Sequence, residues 1–195
     1  DPTTFNPYAT GTNAADALAV EKISQHIVST IATFAAALEG SGASAADAFT
    51  TALGAVVEVV QVKAAAIQSD PTATLDLASS ADLTSIKVAV TTNAASVSGV
   101  NTTALGTLAT DTAAAIVNVN TKINTVTDLT SDATENIFST VNVLKDQVEA
   151  AVTTETGGGS GSIAFVDSTN VDTAAQNATP TDITLSSLSI SETAS

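Results

Sequence analysis

Between Leu105 and Val126 the residues Leu105, Leu108, Thr112, Ile116, Val119, Ile123 and Val126 recur at steps of three and four. That spacing returns to one face of an α-helix at every turn, whereas on a strand it would scatter over both faces. It therefore predicts a helix with one buried seam. Similar stepping runs through four other segments, so the expected fold is mainly α: an elongated up-and-down bundle of about five helices followed by a short β-strand C-terminal tail.

Caps and breakers set the expected boundaries. Asn13, with Asp16 in the next turn, opens the first helix, which carries Val20, Ile23, Ile27, Ile31, Phe34 and Leu38 on one stripe and stops near Gly40. Ser44-Ala-Ala-Asp47 is a capping box with Asp in place of Glu. It opens a second helix whose expected buried face is Phe49, Leu53, Val56, Val60 and Ile67, ended by Asp70-Pro71. Ser80 is the expected cap of a shorter third helix using Leu83, Ile86, Val90 and Val97, with Gly99 beyond its end. The seam helix is expected from Asn101 or Thr102 to Leu129, and Ser131 starts a fifth with Ile137, Val141, Leu144, Val148 and Val152. Before all of these, residues 1–12 form an irregular lead-in with Pro2 and Pro7, pinned to the core by Phe5 and Tyr8.

The turn-rich run Thr156-Gly-Gly-Gly-Ser-Gly-Ser162 divides the chain into a helical bundle (1–156), a flexible Gly/Ser linker (157–162) and a β tail (163–195). Ile163-Ala-Phe-Val166 is the tail's first apolar run and Asp167 to Asn177 is polar. After Pro180, Ile183 and Leu185 share one face of a strand, and Leu188 and Ile190 the other parity, which implies a bulge at Ser186-Ser187. Two or three strands make no independent sheet in water. The tail must pack on the bundle, pair with another chain through Ile183, Leu185, Leu188 and Ile190, or begin a domain whose remainder lies elsewhere.

Charge and composition narrow the chemistry. A net charge of −15, with five Lys and no Arg, repels phosphate backbones and anionic lipid surfaces, so nucleic acid is not an expected partner. The longest uncharged run, Val88 to Thr110, is crowded with Thr, Asn and Ser and fails as a membrane span. Without cysteine there is neither a disulfide framework nor thiolate chemistry. The first residue is Asp and Met is absent, which is expected of a processed or excised piece whose targeting segment lay outside it.

Single residues carry little catalytic signal. His26 is the one histidine, sits between Ile23 and Ile27, and has no Cys or second His with which to hold zinc. No Gly-x-Ser-x-Gly elbow accompanies it, and Gly157 to Ser162 lacks the Gly-Lys-Ser/Thr of a phosphate loop. Asp128, Asp132 and Glu135, or Asp167 and Asp172, could gather calcium loosely, but caps and turns explain them more simply.

The run Asn177-Ala-Thr-Pro-Thr-Asp-Ile-Thr-Leu-Ser-Ser-Leu-Ser-Ile-Ser-Glu-Thr-Ala-Ser195 resembles the opening of the cadherin-like repeats of large type I-secreted, calcium-dependent bacterial surface proteins of the repeats-in-toxin type. The Ala/Thr-rich helical part is similar in texture to modules that precede such repeats. The resemblance implies a calcium cofactor, with Glu192 as a partial ligand of an interdomain ion, and an extracellular, cell-surface location. Asp182 lies in the matching linker without an assigned role.

Together these expectations describe a non-catalytic structural or adhesive module of a secreted bacterial surface protein. Its expected partners are neighbouring domains or further copies, as a homo-oligomer or part of a longer chain, with no membrane insertion. Two alternatives stand beside it: a subunit of an extracellular filament assembled by C-terminal strand exchange, and a helical bundle that binds a small ligand.

Overall fold

The structure is a computed structural model and describes residues 13–70 and 74–177. Within them the chain forms α1 (Ala14–Gly40), α2 (Ala45–Ile67), α3 (Ser80–Ala94), α4 (Thr102–Asn124), α5 (Asp132–Thr156), a short 3-10 turn (Ala164–Val166) and α6 (Ser168–Asn177). No strand occurs among the described residues.

Local chemistry accounts for the helix starts. Asn13 accepts hydrogen bonds from the Ala15 and Asp16 amides, Asn101 from Ala104, and Ser131 from Thr134. Ser44 accepts from the Asp47 amide at 3.2 Å and its hydroxyl donates to the Asp47 carboxylate at 2.7 Å, so Ser44 is the expected cap, with the Asp47 carboxylate bound to the Ser44 hydroxyl in place of the backbone N–H that a full capping box uses. The third helix starts differently from the expectation: Ser79 is its N-cap, without a side-chain cap bond, and Ser80 is the first helical residue. The seam helix ends at Asn124, five residues before Leu129. Past it Asp128 accepts from the Thr130 and Ser131 amides, a local turn that competes with helix for the backbone.

Successive helices run antiparallel. At one end of the bundle Thr156 donates to the Gly40 carbonyl and the Asn101 amide to that of Ser41. At the other, Lys22 donates to the Asn124 carbonyl, and Lys63 pairs with Asp82 at 2.6 Å. Helices α1 to α4 close a four-helix ring, α5 lies against α1 and α4, and α6 against α4 and α5. The α1–α2 and α3–α4 turns meet through glycine: Gly42 has φ 109°, and a Cβ there would stand 2.5 Å from the Gly99 carbonyl oxygen. No other residue type permits both that backbone and that approach.

Packing upholds the seam of α4 in full: Leu105, Leu108, Thr112, Ile116, Val119, Ile123 and Val126 are all buried. On α5, Val141, Leu144, Val148 and Val152 are buried and Ile137 partly so; on α3, Leu83, Ile86 and Val90 are buried, while Val97 lies beyond the helix end. Two helices depart from their expected faces. On α2 the buried stripe is Ala48, Ala52, Ala55, Val56 and Val59, and Phe49, Leu53, Val60 and Ile67 are exposed. On α1, Ile31, Phe34 and Leu38 are buried, but Val20, Ile23 and Ile27 are exposed. The cause is close packing. Alanine lets α2 lie tightly between α1 and α3, so the larger side chains next to that stripe point outward.

The segment after the glycines is also not as expected. Ile163 to Val166 ends in a 3-10 turn and Ser168–Asn177 is a helix, while Ile163, Phe165 and Val171 join the same core as α1 to α5. Asn118 donates to the carbonyls of both Phe165 and Val166, at 2.9 and 2.8 Å, and Lys122 pairs with Asp172 at 2.7 Å. Between them the Gly/Ser run is a tight reversal: the Gly161 amide donates to the Glu155 carboxylate. Strand pairing loses here because burying these three side chains on α4 and α5 needs only a turn and a short helix.

Candidate functional site

The exposed residues of α1 and α2 lie beside one another. Ile23 and Ile27 of α1, Leu53, Val57 and Val60 of α2, and Leu75 of the α2–α3 connection line an open cleft of about 400 Å³. Ile23 is 59% exposed, and most of the exposed surface of the cleft is apolar. Contiguous apolar surface of this kind marks a place where something binds. Along its length α2 also meets the length and composition of a membrane-crossing helix, with only 22% of its most apolar window buried.

Polar groups anchor the wall of the cleft. His26, only 8% exposed, lies next to it, and its Nε2–H donates to the Asn120 carbonyl at 3.0 Å. A carbonyl only accepts, so that contact sets the tautomer of a neutral ring. Asn120, fully buried on α4, donates to the Leu77 carbonyl at 2.7 Å and contacts Thr30, whose hydroxyl donates to the His26 carbonyl. Asn120 thereby ties the α2–α3 connection to the ring and holds Leu77 beneath the cleft. Asp82 does the same from the other side, receiving the Asp76 amide at 2.8 Å and Lys63. Burial pushes the Asp82 carboxyl up, but the Asp76 amide and Lys63 together outweigh it and hold it below the ordinary carboxylate range.

Burial is also the main influence on His26 and lowers its pKa below the ordinary histidine value of 6.5; Lys22 adds to this, and the Asn120 carbonyl and Asp76 offset part of it. The unfolded chain therefore takes up the proton first as pH falls. The stability that neutral His26 contributes is complete above 6.5 and is lost as pH drops through the folded pKa. Urea titrations from pH 8 downward should show stability falling from near that value before carboxylates titrate. His26→Gln should flatten this part of the curve, and an unchanged slope in that variant would refute the assignment.

The acidic residues considered for calcium are placed as caps and ion pairs. Asp128 holds the turn before α5, Asp132 and Glu135 lie in its first turn, Asp167 accepts from the Thr169 amide, and Asp172 pairs with Lys122. Among the described residues no three His, Cys, Asp or Glu side chains are grouped to hold a metal ion. Glu192, Ile183, Leu185, Leu188 and Ile190, with Asp182, lie outside the described residues. Sequence periodicity missed the cleft because it assigned Ile23, Ile27, Leu53 and Val60 to the interior. The signal that could have found it is the alanine stripe one position behind the larger residues of α2.

No protein-family model, curated protein or solved structure matches the chain.

Proposed function

We propose that the chain is a non-catalytic structural or adhesive module of a large secreted bacterial cell-surface protein. The observation that carries this is the path of the backbone through the bundle. α1 begins at the end where Lys22 meets Asn124, and α6 runs along α4 from Asn118 past Lys122 toward that same end. A bundle traversed in this way stands off from its attachment point, and the 27 residues of α1 give it a length of about 40 Å. It presents a surface instead of extending a stalk. The tail resemblance supports a cell-surface setting, with calcium at Glu192 stiffening the junction to whatever follows.

Display on a bacterium that lacks the chain tests the proposal. Attachment of the cells to surfaces or to one another should rise on display, while the purified chain stays monomeric with calcium or chelator. If the purified chain instead polymerises, and Ile183→Asp with Leu185→Asp stops it, the filament reading replaces this one. Unchanged attachment without polymers overturns both.

A further inference from the structure

We propose that the cleft between α1 and α2 is a ligand site for a small amphiphilic cation, an apolar body carrying a protonated amino group that Asp76 holds. Shape points to a small molecule. Ile31, Val56 and Leu77 of the cleft are 9% exposed or less, whereas Ile23, Ile27 and Val60 around them are 40% exposed or more. Buried residues below exposed ones make a recess, not a flat patch. Its volume of about 400 Å³ falls in the range that encloses small organic ligands, about 300–1,000 Å³. A partner helix would need a row of anchors at i, i+3, i+4 and i+7. Phe49, Val62 and Ile67, the other large exposed residues of α2, lie outside the cleft, so the recess takes one compact group.

Charge then selects the head group. The polar side chains of the cleft offer acceptors. His26 has its Nε2 proton committed to the Asn120 carbonyl, which leaves a neutral ring with only an acceptor nitrogen. Asp76 is exposed and carries a carboxylate, and it lies close enough to His26 to oppose the lowering of the histidine pKa. Its backbone is fixed by the amide bond to Asp82 at 2.8 Å, and its Oδ1 accepts from the Ala78 amide at 2.8 Å. A carboxylate so placed has sites for further donors and loses little freedom in meeting one.

Among the described residues no lysine lines the cleft: Lys22 reaches the Asn124 carbonyl and Lys63 pairs with Asp82. An anionic amphiphile would therefore face a carboxylate without a donor, on a chain of net charge −15. An ammonium group donates to Asp76 while its apolar body covers the exposed isoleucine and valine surface. The same net charge opposes a second copy of the chain and an anionic bilayer as occupants.

Octylamine, octan-1-ol and octanoate share one chain length and differ in the head group, so they test the proposal directly on the full chain. Octylamine should move the methyl resonances of Ile23, Ile27, Leu53 and Val57 saturably, while those of Leu83 and Ile86, buried on α3 outside the cleft, stay in place. Octanoate should bind about ten-fold more weakly. Asp76→Asn keeps an acceptor for the Ala78 amide but removes the charge; it should weaken octylamine about three- to five-fold and leave octan-1-ol unchanged. Glu58→Gln removes the same charge from α2 outside the cleft and should change neither, which separates a contact at Asp76 from general attraction to an acidic protein. Ile23→Ser, at an exposed position where folding is not at stake, should weaken both ligands. The proposal is overturned if octanoate or octan-1-ol binds as tightly as octylamine, if Asp76→Asn and Glu58→Gln act alike, or if no ligand saturates the cleft resonances. It is equally overturned if those resonances change with protein concentration alone or with phosphatidylcholine vesicles, which assigns the face to a second copy or to a bilayer.

Discussion

Phe34→Ala should lower the unfolding free energy by about 3–5 kcal/mol, read in urea as a lower midpoint with an unchanged slope. Phe34 is 1% exposed, lies on the stretch of α1 that packs on its neighbours, and is with Phe165 one of the two largest fully buried side chains among the described residues. Truncation removes the transfer energy of the ring and leaves a cavity that the helices of the closed ring cannot collapse into. Phe49→Ala is the matched comparison. The same residue type on α2 is 53% exposed and outside the cleft, so its loss should cost within about 0.5 kcal/mol. A cost at Phe49 as large as that expected at Phe34 would show that the exposed and buried faces of α2 have been exchanged.

Gly161→Ala should release the segment from Ile163 to Asn177. A Cβ at Gly161 would overlap the backbone oxygen of Ala151 and stand 3.0 Å from the Leu108 side chain. The oxygen belongs to the helix backbone of α5 and has nowhere to move, so the Gly/Ser turn must lift away. With it go the contacts of Ile163, Phe165 and Val171, at a cost of about 2–4 kcal/mol. Hydrogen exchange should accelerate across α6 and the preceding turn while α3, which packs on α2 and α4, keeps its protection. Gly106→Ala on α4 is the control, because open space surrounds that position and a helical alanine there should be neutral or stabilising. If Gly161→Ala behaves like Gly106→Ala, the run is the flexible linker its composition suggests.

These two substitutions also mark how far the residues alone could be read. Asn13, Ser44, Asn101 and Ser131 act as caps because their side-chain oxygens satisfy amides a few residues away, and such a pattern is written locally. The seam of α4 was equally legible, since α4 is flanked by α1, α3 and α5 and its whole apolar stripe finds cover. Phe34 and Phe49 looked alike in their helices, and only the neighbours separate them. Gly161 was read by composition as freedom, whereas its role is to let two backbones touch. The candidate cleft was illegible for the same reason: Ile23, Ile27, Leu53 and Val60 have the spacing of core residues, and nothing local says that alanines would take their place inside.

By itself the sequence determined where α1, α2, α4 and α5 begin, that five helices form before the glycine run, and which face of α4 is buried, because hydrogen-bonded caps and side-chain period act over a single turn. Only the tertiary structure decided which face of α2 lies inside, that α1 leaves its first turns uncovered, and that residues 163–177 join the bundle. Each of those outcomes depends on how closely two helix axes approach, and that distance is set jointly by small side chains on separate segments. A hydrophobic stripe can call for a partner, but the shape of the partner decides whether the stripe is covered.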